Sequence, residues 1–391
     1  MGPLALSTLV LDLEEYSDTK VVLEKWIAYA SKTASATANG YVQTLRVRNI
    51  GKIEAFQQPD FAEEMTVDER TPEWYLAEPS MIRVGTLLAR ILMAIPNLYT
   101  IEWHSNDCHP MNHFLLDHFK QFDLIDFSVR FLAVAGAYSH PEDRIRPGRQ
   151  DAFKGLRSLS LNSWYNSDYD LLGEWVAETI RHSPELKSLT VIHPVYLSTD
   201  SAPSLKGLFP LPTDPEGPPA PLRLEHLSIS GLRASFDDPE IISHLRGLRS
   251  IKLNNILYGP PLGVLIKDLW QPLLDAGIFP EKIELNLTEV EHKFLDYLLA
   301  YPPRRLKSLV FDNRDLLHQD TDSMNEVALR FYGEVLKKEN IRDSLEELTV
   351  YTKDRHDNWG WDHWRGMVQA IEECKNMPLE SVTIGCPPPT Y

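Results

Sequence analysis

One short arrangement of apolar positions recurs along the whole chain: an aliphatic residue, two others, an aliphatic, one other, then a further apolar residue. It reads Leu6-Leu9-Leu11, Val42-Leu45-Val47, Leu98-Ile101-Trp103 and, less cleanly, Phe122-Ile125-Phe127. The middle of the chain carries Leu156-Leu159-Leu161, Leu186-Leu189-Val191, Leu224-Leu227-Ile229 and Leu248-Ile251-Leu253. Leu306-Leu309-Phe311, Leu345-Leu348-Val350 and Leu379-Val382-Ile384 follow, and Pro280-Ile283-Leu285 is a defective copy with proline in the first slot. These twelve copies recur about every 34 residues, a period typical of repeat architectures. The last two apolar residues of each copy stand two apart, so they share one face of a short strand. The first turns the chain into that strand and packs beneath it.

Between copies the apolar spacing changes to three and four, which is helical. Such stretches are 21–30, 84–95, 171–180, 263–274, 294–299, 327–336 and 364–374. A single strand and helix cannot bury their apolar faces alone, whereas stacked units can. The expected fold is therefore α/β: a solenoid over 1–391 with a parallel sheet on its concave side and helices on its convex side, in about twelve irregular repeats. A doubly wound α/β domain is the competing arrangement. It would have fewer strands and a glycine-rich first turn, and the chain contains no GxGxxG, GxxxxGK[ST] or GxSxG.

Three stretches break the rhythm and are expected to be loops: 51–83, with eight acids against three basic residues, 137–150, and 202–221, with seven prolines. The segment 355–391 is read as the last repeat and its cap. Its Trp359, Trp361 and Trp364 suit the closing of a solenoid end.

Composition narrows the function classes. Of 391 residues, 43% are hydrophobic, which suffices for a core, and the formal net charge is −17. So acidic a chain with no basic cluster is not expected to bind nucleic acid through phosphates. Three cysteines, Cys108, Cys374 and Cys386, make no disulfide framework or CxxC site, and no apolar run approaches the length of a membrane span. A cytoplasmic or nuclear protein without membrane partners is expected.

Candidate chemistry is sparse. His104, Asp107, Cys108, His109, His113, Asp117 and His118 form the densest ligand-like group, but the HEXXH arrangement is absent and a polar loop entering a helix explains them as well. No Ser/His/Asp or Cys/His arrangement is legible, so no catalytic residue, cofactor or metal is assigned and no enzyme is expected.

In a solenoid of this kind the residues between the inward-pointing strand positions face a partner. The central positions read Val10, Arg46, Glu102, Asp126, Ser160, Thr190, Ser228, Lys252, Glu284, Val310, Thr349 and Thr383. Charged and amide groups gather at Arg46, Arg48, Glu102 and His104, and again at Lys252, Asn254, Lys282 and Glu284. Such groups can hydrogen-bond a protein partner along a sheet face, and these eight are the candidate partner-binding residues.

The fullest copies, LRSLSLNSW at 156–164 and LRSIKLNNI at 248–256, resemble the leucine-rich-repeat family. Endings such as SPELKSLTV at 183–191 and RDSLEELTV at 342–350 are similar to the C-terminal region of fungal F-box/leucine-rich-repeat proteins. That resemblance implies repeats that hold a substrate and an F-box that docks, through a Skp1-like adaptor, onto an SCF-type ubiquitin ligase. No F-box is visible, because the first copy begins at Leu6. The expectation is a protein-interaction module, the substrate-recognition part of such a ligase. An acidic scaffold that holds basic partners in a salt-sensitive way, without a ligase role, is the alternative; an α/β enzyme stands third.

Overall fold

The computed structural model describes residues 7–12, 25, 42–48, 88, 90–93, 95, 97–104, 119, 121–130, 153–162, 169–192, 208–209, 221–230, 239–254, 269–286, 290–312, 321–351, 372, 374–375 and 377–385. The expected loops at 51–83 and 137–150, and all of 202–221 except 208–209 and 221, lie outside them. So do Trp359, Trp361 and Trp364. The chain divides into two compact units. The first is Met1–Leu186 with Glu216–Pro218, and the second is Lys187–Pro215 with Pro219–Tyr391.

Among the described residues the first unit holds five strands: β1 (Thr8–Asp12), β2 (Thr44–Arg48), β3 (Thr100–His104), β4 (Asp126–Arg130) and β5 (Ser158–Asn162). Among its described residues the second holds seven: β6 (Ser188–Ile192), β7 (His226–Ser230), β8 (Ser250–Asn254), β9 (Lys282–Asn286), β10 (Ser308–Asp312), β11 (Glu347–Tyr351) and β12 (Ser381–Gly385). Within each unit every strand pairs in parallel with the next in sequence. The chain is thus α/β with parallel strands laid down in chain order, as the repeat predicts.

All strands have five residues, and the repeat explains why. The second and fourth positions point inward: Leu45, Val47, Ile101, Trp103, Leu159 and Leu161 are at most 4% exposed. The first residue of the copy is buried too, as at Leu98, Leu156, Leu224 and Leu306. The residue just before each of β1–β4 and β6–β11 then carries a carbonyl that accepts two N–H groups from the next repeat. Gln43 O, for example, receives Tyr99 N at 2.9 Å and Thr100 N at 3.0 Å, and Lys187 O receives Glu225 N at 2.8 Å and His226 N at 2.9 Å. This forked bond satisfies the backbone where the chain enters the sheet and fixes the register of one repeat on the next.

One copy sits two residues from where its apolar pattern places it. The fourth strand pairs Phe127 with Ile101 and Ser128 with Glu102, so its copy is Leu124-Phe127-Val129 and its central residue is Ser128, not Asp126. Leu124 is 2% exposed, whereas Phe122 is only half-buried. A slip of two preserves which residues face inward, so alternation alone cannot detect it. The proline copy, by contrast, builds an ordinary strand. Pro280 lies outside β9, where no ladder N–H is needed, and its carbonyl accepts the Tyr301 hydroxyl at 2.9 Å.

Helices cover the inward face. Among the described residues they include, in chain order, α1 (Tyr169–Arg181), α2 (Pro239–His244), α3 (Trp270–Asp275), α4 (His292–Leu299), α5 (Thr321–Arg330) and α6 (Glu339–Arg342). Of the expected helical stretches, 171–180 and 294–299 lie within α1 and α4, and the described end of 263–274 forms α3. The stretch 327–336 departs from expectation: α5 continues as a π-helical turn over Phe331–Val335. That turn contains Gly333, and it lets Phe331, Tyr332 and Val335 all be buried.

Aromatic side chains link successive repeats. In the first unit Trp103, Phe119, Phe127, Phe153 and Trp175 follow one another with ring centroids 6.1, 6.0, 4.6 and 5.6 Å apart. In the second, Trp270, Phe294, Phe311, Phe331 and Tyr332 do so at 4.5, 6.1, 5.3 and 5.4 Å. Phe311 comes from a strand, with Phe294 and Phe331 from helical segments, so the strand face and the helices share one core. Where α1 ends, Ser183 Oγ accepts the Leu156 N–H at 3.1 Å and His182 O accepts the Gly155 N–H at 3.0 Å. Gly155, at φ +73°, makes the turn that brings those amides round.

Candidate partner-binding face

With the described second and fourth strand positions buried, save Val382 of β12 at 43% exposed, the third points to the opposite, solvent-facing side. Arg46, Glu102, Ser128 and Ser160 in the first unit, and Thr190, Ser228, Lys252, Glu284, Val310 and Thr383 in the second, are half-buried there. Val10 is 46% exposed, and Thr349 only 6%. Parallel pairing sets equivalent positions one strand spacing apart, about 4.8 Å, so neighbouring side chains meet.

The structure brings a cation and a carboxylate together in each of the two candidate groups. Arg46 and Glu102 stand opposite each other on β2 and β3, with Nε to Oε2 at 2.8 Å. Lys252 and Glu284 do the same on β8 and β9. Arg48 is exposed at the end of β2, in register with the half-buried His104. Lys282 opens β9, exposed, between Ser250 and Ser308. Asn254 ends β8 in register with Ser230. The two groups belong to different units. Within each, the central cation and carboxylate are ion-paired, so each presents a dipole, flanked by a cation at Arg48 or Lys282.

A second row escaped the sequence reading. In the second unit the residues just before the strands are Lys187, Glu225, Arg249, Glu281, Lys307 and Glu346, alternating in sign at every step, and then Glu380. Lys187 Nζ donates to Glu225 Oε1 at 2.7 Å, while Arg249 Nε lies 3.6 Å from the other oxygen of the same carboxylate. The Lys187 hydrogen bond is the main reason the Glu225 carboxyl is held below the usual carboxylate range. Lys307 Nζ donates to Glu346 Oε1 at 3.1 Å, which raises its ammonium pKa, and Glu281 and Glu380 add to that through their fields. Arg305 reaches Glu281 at 3.3 Å. The signal was present in the sequence one position upstream of the strand residues, but it shows only when the copies are stacked.

Of the His104–His118 cluster only His104 is described, and the other six residues lie outside the described part. Among the described residues no group of three or more His, Cys, Asp or Glu could hold a metal ion. No described helix is long and apolar enough to cross a membrane. The chemistry that the described face offers is hydrogen bonding from hydroxyls and ion-paired side chains. No family model matches the chain, and no curated protein matches it either.

Proposed function

We propose that the chain is a protein-interaction module of the leucine-rich-repeat kind, with its strands on the concave side of a curved solenoid and a partner held on their solvent-facing side chains. The observation that carries this reading is the regular presentation of one polar side chain per strand, at a fixed register, over β2–β5 and again over β6–β9. Such rows supply hydrogen bonds at a repeated spacing to a folded surface laid across them. The resemblance to F-box/leucine-rich-repeat proteins makes substrate recognition for an SCF-type ubiquitin ligase, in the cytoplasm or nucleus, the specific form of the proposal.

The test is affinity purification from source cells with mass spectrometry, at low and moderate salt, beside a variant whose face is blocked by Thr190→Arg and Ser228→Arg. A stable partner that the blocked variant loses supports the module, and a Skp1-like adaptor recovered with it supports the ligase role. Partners retained equally by both proteins would sink binding through this face. A partner lost as salt rises, without ligase components, would favour the acidic scaffold.

A further inference from the structure

The buried face of the second unit does little to tell one strand from another. The inward pairs are Leu189/Val191, Leu227/Ile229, Ile251/Leu253, Ile283/Leu285, Leu309/Phe311 and Leu348/Val350, nearly all interchangeable aliphatics. A strand that paired with the next-but-one repeat would bury much the same surface. Loop closure discriminates weakly against this, because its entropy grows only with the logarithm of loop length. Repeat proteins are correspondingly prone to misassembly between repeats.

The row just before the strands does discriminate. Its carbonyls accept the forked bond from the next repeat, so its side chains are brought into the same neighbour relation as the strands: Glu225 beside Lys187, Arg249 beside Glu225, Glu346 beside Lys307. From Lys187 to Glu346 every neighbour in chain order is of opposite sign, and only the last step, Glu346 to Glu380, sets like beside like. Skip one repeat among β6–β11, and every contact becomes like with like: Lys187 meets Arg249, Glu225 meets Glu281, Arg249 meets Lys307, Glu281 meets Glu346; the alternation does not extend to Glu380 before β12. The equivalent row in the first unit is Ser7, Gln43, Tyr99, Ile125 and Arg157, uncharged until its last member. That unit has bulky and distinct inward residues in Trp103 and Phe127.

We propose that the alternating charges before β6–β11 form a pairing code, which makes each of these six repeats dock on its chain neighbour and opposes docking on the next but one. The code works through rejection of wrong pairs rather than strength of right ones, since exposed ion pairs add little to a correctly paired sheet.

Refolding of the full chain from denaturant tests it. Glu225→Lys with Glu281→Lys places five cations in succession. The fully inverted set, Lys187→Glu, Glu225→Lys, Arg249→Glu, Glu281→Lys, Arg305→Glu, Lys307→Glu and Glu346→Lys, restores alternation with opposite phase. Glu225→Gln with Glu281→Gln removes the pairs without creating repulsion. At low salt the cationic variant is expected to lose native yield and to regain it near 1 M salt, where screening is short-ranged. The inverted set should refold as the wild type does, and the glutamine variant should fall between. The proposal is overturned if the cationic variant refolds in full at low salt. It is equally overturned if the inverted set refolds no better than the cationic variant, or if yields simply follow the equilibrium stability of each variant.

Discussion

Two tyrosines of α4 and its C-terminal turn make the second unit sensitive to alkali, and the size of the effect can be worked from their surroundings. Tyr297 and Tyr301 are each 1% exposed, their hydroxyls donating to Ile278 O at 2.6 Å and Pro280 O at 2.9 Å. These bonds tie the end of α4 to the segment that enters β9. Burial raises the pKa of both phenols well above the ordinary value, and for Tyr301 the neighbouring Tyr297 adds to the effect. The ionised form has no place here, because a phenolate cannot donate to a carbonyl.

The sign follows from proton linkage. Above pH 10 the unfolded chain releases phenolic protons that the native state keeps, so stability is fully present below that pH and falls as pH rises. At pH 11 each retained proton costs about 1.4 kcal/mol, so the pair costs about 3 kcal/mol relative to pH 8. Tyr297→Phe with Tyr301→Phe removes both protons and both hydrogen bonds. At pH 8 the variant should be less stable by about 1–3 kcal/mol per lost bond, and the wild type's advantage should shrink by about 3 kcal/mol by pH 11. Urea unfolding of both proteins, followed by far-ultraviolet circular dichroism from pH 8 to 11, reads this difference directly, since other titrating groups cancel. Parallel stability–pH curves would refute the reasoning, because they would mean that the native phenols ionise as freely as unfolded ones.

Three further outcomes follow from the core and its turns. Phe311→Ala removes the ring that joins Phe294 to Phe331, and should cost about 3–5 kcal/mol in the same unfolding assay. Ser183→Ala leaves the buried Leu156 N–H without its acceptor and should cost about 1–3 kcal/mol, read as a lower midpoint for the first unit. Arg304 holds φ at 60°, where a side chain is strained, so Arg304→Gly should raise the melting temperature, with about 1 kcal/mol gained.

The strands were legible because each copy of the repeat states its own burial. Two inward residues two apart, with an apolar residue three before, leave one way to place a five-residue strand, and eleven of the copies sit where that places them. The exception, β4, offers Phe122, Leu124, Ile125, Phe127 and Val129 at spacings that satisfy the pattern twice, and only pairing with β3 chooses between the two. The short helices α2 and α6 carry too few residues to show a period of 3.6, and the π-helical turn at Phe331–Val335 is set by contacts with Phe311 and by Gly333 rather than by any run of residues. Arg46 stands beside Glu102 and Lys252 beside Glu284 because stacking copies puts equal positions side by side. What the grouping could not show was that each cation already has its carboxylate.

That pairing changes what kind of contact the strand face can make. A lone cation on an exposed strand would attract any acidic partner, and its affinity would fall with salt. A cation bonded across the sheet to a carboxylate offers a fixed dipole instead, and it resists displacement because a partner that took one member would leave the other unpaired. Selectivity on such a face comes from matching donors and acceptors in position, which salt affects little, while the net charge of −17 governs how fast acidic or basic partners approach from a distance. For a partner on this face, raising ionic strength should therefore alter the association rate and leave the dissociation rate nearly constant. A dissociation rate that climbed steeply with salt would place the contact on the acidic surface outside these strands.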